Sequence, residues 1–246
     1  MSRFAVILPA AGASSRFRDR NYKKPFAPLA GRAVWLHSAH RFLQRQDVVQ
    51  VIVAVSPDDH EFFREKFASE IAILGIHMVQ GGRERGDSVR NALAAVKPEA
   101  DFVCIHDAAR PCLADAWIDA VFAKAEAVGA AILAVPAVAT LKQVGEDGLI
   151  MQTLSRQGVW EAQTPQVFRR DWLIEACEKG GSRSVTDDAQ WLEMAGLKVH
   201  VVPGSALNIK ITTREDLRLA EKILEVLPKP KLAEPRHPFA DDDLWR

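Results

Sequence analysis

Phe4-Ala5-Val6-Ile7-Leu8-Pro9-Ala10-Ala11-Gly12-Ala13-Ser14-Ser15-Arg16 stands at the start of the chain, and Lys24 follows eight residues on. The apolar run over 4–8 reads as a strand covered on both faces. The small residues behind it leave backbone N–H groups bare at the strand's carboxyl end, and two cations come next. A loop of this kind presents donors and positive charge to a polyphosphate. It is not a Walker A sequence, and its single glycine cannot supply a dinucleotide fingerprint.

Outward from that loop, strand-like runs recur at 48–55, 76–80, 102–106 and 130–135. Helical segments lie between them at 34–46, 60–69, 87–96 and 114–128. In the third of these, Val89, Ala92, Leu93 and Val96 fall at i, i+3, i+4 and i+7, which is one helix face. Alternating strands and helices imply a mainly parallel sheet, with ligands at the carboxyl ends of its strands. The alternation stops after Pro136. Residues 137–160 read as a β-hairpin around Glu146-Asp147-Gly148. That excursion has little core of its own and is expected to pack on a second copy of the chain. Helices at 171–179 and 187–195 and a strand at 198–202 follow. A last helix starts at Thr212 behind the capping box Thr212-Thr213-Arg214-Glu215. Its apolar stripe is Ala220, Ile223, Leu224 and Leu227. Residues 1–227 are read as one domain and 228–246 as a loose tail.

The chain has 246 residues, with 48% apolar and 26% charged, a balance that suits a full globular core. Its 32 lysines and arginines match its 32 aspartates and glutamates, so no global field recruits nucleic acid or an anionic membrane. Phosphate binding must then come from locally placed cations. Cys104, Cys112 and Cys177 are too scattered for a disulfide framework or a zinc site, and are read as buried thiols. With no leader pattern and no apolar run long enough to span a bilayer, a cytoplasmic protein is expected.

Two further clusters fall just after strands. Gly81-Gly82-Arg83-Glu84-Arg85-Gly86-Asp87-Ser88 opens a slot for a flat base beside a helix start, although Asp87 or Ser88 also serves as a plain cap. His106-Asp107-Ala108-Ala109-Arg110-Pro111 places a carboxylate where it can meet Mg²⁺ or a substrate hydroxyl. Arg110 can bind a second phosphate or pair with Asp107, and no chemistry is assigned to His106. Lys142, Arg156 and Lys210 add cations, while Thr164-Pro165-Gln166 and Thr186-Asp187-Asp188 add hydroxyls and carboxylates.

In order, Pro9-Ala10-Ala11-Gly12 with Arg16, Lys24, Gly81-Gly82 through Ser88-Val89, the 106–111 cluster, Thr164-Pro165-Gln166, Thr186-Asp187 and Asn208-Ile209-Lys210 resemble the 2-C-methyl-D-erythritol 4-phosphate cytidylyltransferase family over residues 4 to about 226. The resemblance implies a Rossmann-like nucleotidyltransferase α/β fold, a mainly parallel mixed sheet with helices on both faces. It also implies a protruding β-arm at 137–160 that forms a homodimer. The ligands implied are CTP with Mg²⁺ and a sugar-alcohol phosphate. Ala11, Gly12 and Ala13 would line the nucleotide, with Gly81, Gly82 and Ser88 around the cytosine. Arg16, Lys24, Arg156 and Lys210 would be the catalytic cations. Asp107, Arg110, Thr164, Thr186 and Lys210 would surround the acceptor. Asp107 would also touch the nucleotide and the metal, which the triphosphate would mainly hold. Thr140 and Arg156 would reach the neighbouring subunit's site.

The sequence departs from the family pattern at Ser14, at 23–29, at Arg83 and in the tail. In the 23–29 segment Lys24 fits the spacing better than Lys23. A pentitol (ribitol) 5-phosphate cytidylyltransferase is the alternative reading, since it would share the nucleotide loop. A nicotinamide-dependent dehydrogenase is opposed by the missing glycines, and an inactive regulator by the presence of both Arg16 and Lys24.

Overall fold

A computed structural model describes residues 1–12, 17, 23–181, 183 and 185–228. Ala13, Ser14, Arg16 and the tail beyond 228 lie outside the described residues. In chain order the strands are β1 (Phe4–Pro9), β2 (Pro28–Leu29), β3 (Arg32–Ala33), β4 (Val48–Val55), β5 (His77–Gln80), β6 (Phe102–Ile105), β7 (Ala130–Pro136), β8 (Leu141–Val144), β9 (Ile150–Leu154), β10 (Trp160–Arg169) and β11 (His200–Pro203). The helices are α1 (Val34–Leu43), α2 (His60–Lys66), α3 (Ala68–Leu74), α4 (Arg85–Leu93), α5 (Asp115–Val128), α6 (Arg170–Gly180), α7 (Ala189–Met194) and α8 (Arg214–Val226).

Seven strands form one sheet in the order β11-β7-β10-β6-β1-β4-β5. β1 lies at its centre, parallel to β4 on one side and to β6 on the other. Period-2 alternation sorts the side chains of these strands into two cores. Phe4, Val6, Leu8, Val51, Val53 and Val55 pack with α1, α2 and α5 on one face. Ile7, Ile52 and Ala54 pack with α4, α6 and α7 on the other. Helices thus cover both faces, as the continuously apolar strands require. The stripe of α8 makes a smaller cluster, in which Ala220, Ile223 and Leu227 meet Val34, Cys112 and Ile211. All three cysteines are free and buried, and burial pushes the Cys112 and Cys177 thiols up to about 12.

Several expectations need correction. The helix read at 60–69 is two helices, because Phe67 leaves helical geometry between them. Its ring turns inward instead, with its centroid 5.0 Å from Phe63 and 5.2 Å from Trp35. The helix read from 87 starts at Arg85, and Asp87 caps from inside it: the Glu84 N–H donates to Asp87 Oδ2 at 3.2 Å. The capping box of α8 lies one residue later than read, with Asp216 N–H donating to Thr213 Oγ1 at 3.2 Å. Asp216 Oδ2 in return accepts from the N–H groups of Thr212 and Thr213, both at 2.8 Å.

The largest addition is β10, read from sequence as the end of the hairpin and a loop. It runs antiparallel between β6 and β7, with a register shift between Ala162 and Gln166. A proline inside a run argues against a central strand, and here the shift accommodates Pro165. The expected arm is present: β8 and β9 pair antiparallel beyond the end of β7. Gly148, at φ +82°, makes their turn. Among the described residues, no helix is long and apolar enough to cross a membrane.

Candidate active site

The carboxyl ends of β1, β5 and β6 open into one cleft of about 840 Å³. The chain after β1 is tied back to the sheet by Ala10 N–H donating to Ala54 O at 2.8 Å. Residues 10–12 therefore line the cleft with backbone, and a side chain at Gly12 would point into open space. On the opposite wall, Gly81 N–H donates to Val55 O at 2.7 Å. A Cβ on Gly81 would stand 2.7 Å from Ala11 Cβ, and one on Gly82 would stand 2.2 Å from Asp87 Cβ. Only glycine lets these two walls approach. Ser88 Oγ fixes the turn, accepting from Gly82 N–H at 3.0 Å and donating to Glu84 O at 3.1 Å.

Asp107, just after β6, is the electrostatic centre of the floor. Its Oδ1 accepts from Arg85 Nε at 3.0 Å and its Oδ2 lies 2.7 Å from Lys210 Nζ, with Arg110 Nε at 3.8 Å. Burial alone would raise its pKa, but Arg85, Lys210 and Arg110 hold the carboxyl well below the usual range. Arg85 also grips Asp188 with both terminal nitrogens, at 2.9 and 2.7 Å. Burial opposes the charge on Arg85, yet Asp188 and Asp107 outweigh it and keep the guanidinium firmly ionised. Asp188 is fully buried, and burial pushes its own carboxyl up against the pull of Arg85.

A layer of hydrogen bonds lies beneath Asp107. Its N–H donates to Thr164 Oγ1 at 3.0 Å, and that hydroxyl lies 3.1 Å from His106 Nδ1. His106 Nε2 faces Arg110 O at 3.0 Å. The ring is fully buried, and burial drives its pKa down to about 4. It is therefore a neutral structural imidazole. Arg110 Nη1 donates to Asn208 O at 2.7 Å, tying this floor to the segment that carries Lys210.

The cleft thus gathers Ala11, Gly12, Lys24, Gly81, Gly82, Ser88, Asp107 and Lys210 from the expected set. Lys23 lines it as well, but its ammonium is held by Asp59 Oδ2 at 2.7 Å. Thr164 and Arg110 sit behind Asp107, and Thr186 is bonded to Gln190 Oε1 at the start of α7. Thr140 and Arg156 are exposed on the arm, where Arg156 Nη1 donates to Val138 O. Ala13 and Arg16 lie outside the described residues. Arg85 and Asp188, both present in quoted motifs, were given no role from sequence. The only available signal was the unusual density of charge beside two glycines.

Among the described residues, no group of three or more His, Cys, Asp or Glu side chains could hold a metal ion. Asp107 stands alone, with both oxygens already facing cations. A divalent ion reaching it would have to displace a salt bridge.

The profile of the 2-C-methyl-D-erythritol 4-phosphate cytidylyltransferase family matches residues 4–226. A protein of that name from Rhodopirellula baltica is 44% identical over 231 residues, covering 89% of this chain and 94% of that protein. One from Pelotomaculum thermopropionicum is 40% identical, covering 92% of this chain and 95% of that protein. A crystal structure of the same-named protein from Thermus thermophilus superposes with a TM-score of 0.75 at 28% identity, covering 92% of this chain and all of that one. The Francisella tularensis structure gives 0.74 at 32% identity, covering 90% of this chain and all of that one.

Proposed function

The chain belongs to the 2-C-methyl-D-erythritol 4-phosphate cytidylyltransferase family, and on that premise we propose that it transfers CMP from CTP to 2-C-methyl-D-erythritol 4-phosphate. The products are pyrophosphate and 4-diphosphocytidyl-2-C-methyl-D-erythritol, in non-mevalonate isoprenoid biosynthesis. The observation that carries this reading is one cleft lined together by residues 10–12, the Gly81-Gly82 turn and the cations Lys24, Arg83 and Lys210. The pentitol acceptor is not favoured, since the matched family and its relatives carry the methylerythritol name.

A phosphate oxygen of the acceptor attacks the α-phosphorus of CTP in line. The bond from that phosphorus to the bridging oxygen breaks, and pyrophosphate leaves with the electron pair. A phosphate dianion is already a nucleophile, so positioning and charge neutralisation supply the rate. The buried, neutral His106 is no proton shuttle, which agrees with a reaction that needs none. Residues 10–12 cradle the triphosphate, and Gly81-Gly82 flank the base. Lys24 and Arg16 neutralise the phosphates, and Lys210 and Asp107 orient the acceptor. Were Mg²⁺ bound with the triphosphate, Asp107 would be the side chain nearest to hold it, and the ion would supply neutralisation of phosphate charge.

The arm makes a homodimer in this reading, bringing Thr140 and Arg156 to the partner's cleft. Its support is the exposed apolar surface of β9, with Ile150 and Met151 63% and 68% exposed. A cytoplasmic setting is supported by three unpaired, buried thiols.

The test is pyrophosphate release from CTP and Mg²⁺ with 2-C-methyl-D-erythritol 4-phosphate, beside ribitol 5-phosphate and no acceptor. Release with the methylerythritol substrate alone is expected. Release only with ribitol 5-phosphate would keep the chemistry and overturn the acceptor, and no release would overturn both.

A further inference from the structure

Arg85 is the first residue of α4, directly behind the Gly81-Gly82 turn. Its fork spans three elements: the helix that shapes one wall, the loop after β6 that carries Asp107, and the turn before α7 that carries Asp188. The two carboxylates differ in address. Asp107 faces the cleft, whereas Asp188 is fully buried. Asp188 is also anchored through its backbone. Its N–H and that of Ala189 both donate to Gln166 Oε1 of β10, at 3.1 and 3.0 Å. Gln166 Nε2 in turn donates to Asp187 Oδ2 at 2.9 Å.

We propose that Arg85 is a positioning residue for the transfer reaction, tying Asp107 to the buried Asp188 and so fixing the Lys210 ammonium that shares Asp107. The inference rests on the cytidylyl-transfer reading above. Its physical basis is the difference between a fork and a point charge. A guanidinium binds carboxylates in a fixed plane, whereas an ammonium on a four-carbon stem sets no orientation. With Oδ1 held by Arg85 Nε, Oδ2 is turned toward Lys210 at 2.7 Å. Without Arg85, Asp107 would be free to swing toward Arg110, now 3.8 Å away, and would draw Lys210 with it. Asp188 would meanwhile be left buried without its cation and driven to take up a proton, which destabilises a fold for reasons unrelated to catalysis.

These two consequences separate in a double variant. Wild type, Arg85→Met, Asp188→Asn, Arg85→Met/Asp188→Asn and Arg85→Lys are compared in the full chain by thermal melting and by pyrophosphate release at varied CTP and acceptor. Arg85→Met is expected to lose both stability and turnover. The double variant removes the stranded carboxylate and recovers the wild-type melting temperature. Its kcat/KM for the sugar-alcohol phosphate stays about 10²-fold low, the scale of a misplaced reactive geometry, while KM for CTP changes much less.

Arg85→Lys keeps the charge without the fork and is expected to restore under a tenth of wild-type kcat/KM. A double variant within about threefold of wild type would overturn the inference, leaving Arg85 as a counter-ion for Asp188 alone. An equal loss toward both substrates would overturn it too. If the double variant does not fold, Arg85→Lys decides, and wild-type kcat/KM there overturns the proposal. An inactive wild type would sink the transfer reading itself, an outcome distinct from an active wild type matched by its variants.

Discussion

Lys210 Nζ lies 2.7 Å from Asp107 Oδ2, joining the segment before α8 to the loop after β6 across the floor of the cleft. The pair is asymmetric. Asp107 keeps Arg85 if Lys210 is removed, but the cleft then loses the ammonium that lies closest to Asp107 Oδ2 among the described residues. Lys210→Ala is therefore expected to lower kcat/KM by roughly 10²–10³, the scale of one preorganised electrostatic partner. Its melting temperature should stay within a few degrees of wild type. A large drop in melting temperature together with a small kinetic change would make Lys210 a structural residue.

Adjacent lysines give an internal control at the opposite wall. Lys23 and Lys24 both line the cleft, and Lys23 is paired there with Asp59, which also accepts from Ser56 Oγ at 2.5 Å. Lys24→Ala should reduce turnover by roughly 10²–10³. Lys23→Ala should cost only a few-fold, because a half-exposed ion pair contributes at most about 1 kcal/mol. Comparable losses in both variants would remove the distinction, and near-wild-type turnover in Lys24→Ala would remove Lys24 from the mechanism.

Arg83 tests the base side of the cleft. It is exposed and lines the cleft, and no carboxylate holds it among the described residues. An unpaired guanidinium next to Gly82 favours an anionic nucleotide. Arg83→Ala is expected to raise KM for CTP by about tenfold, the equivalent of about 1.4 kcal/mol, with kcat nearly unchanged. A fall in kcat at constant KM would instead place its contact in the transition state.

The turn itself can be probed through Gly82. A Cβ there would collide with Asp87 Cβ, and Asp87 is held by the Glu84 N–H and by Arg90 Nη1 at 3.0 Å. Gly82→Ala should therefore shift the turn, with a destabilisation of about 1–3 kcal/mol from overpacking and weaker CTP binding. Chemical denaturation and CTP titration measure the two separately. Unchanged binding would mean that the base does not lie against this turn.

How legible was all this from the chain? The opening strand and its loop were readable because five apolar residues in a row end at proline and small residues, a pattern with few competing explanations. The hairpin was readable from Asp147-Gly148. β10 was not, because Thr164-Pro165 interrupts it with a residue that cannot serve a regular ladder, and tertiary pairing with β6 and β7 won over local preference. The Arg85 fork was not readable either. Its partners Asp107 and Asp188 lie 22 and 103 residues away, and a sequence names charges without saying which ones meet. Thr164, expected beside the acceptor, has a hydroxyl that accepts from Asp107 N–H and lies 3.1 Å from His106 Nδ1, a pairing across 57 and 58 residues that the sequence does not announce.

His106 predicts an acid limit to stability. Burial lowers its pKa from 6.5 to about 4 in the folded protein, beside Asp107 and Arg110. Between those values the unfolded chain binds the extra proton and the native state does not, so stability falls as pH drops from 6.5 toward 4. Complete passage through that window costs about 3 kcal/mol. Asp107, whose folded pKa is held below its unfolded value of 3.8, adds its own loss only at more acid pH. Melting curves of wild type should decline through the upper window, and His106→Gln should flatten that decline. Equal slopes in both proteins would assign the acid sensitivity to other groups.

Charge placed on the arm tests the proposed dimer. Leu149, Ile150 and Met151 are 68%, 63% and 68% exposed, on a hairpin that joins none of the buried clusters among the described residues. A soluble monomer gains nothing from such a strand and would risk edge-to-edge association. Ile150→Asp with Met151→Glu should therefore turn a dimer into a monomer by sedimentation, with the melting transition of the main sheet preserved. Because Thr140 and Arg156 sit on the same arm, activity should fall in step with the dimer fraction and recover at high protein concentration. A monomeric variant with full activity would show that the cleft works without the partner's arm, and a wild type that sediments as a monomer would remove the dimer altogether.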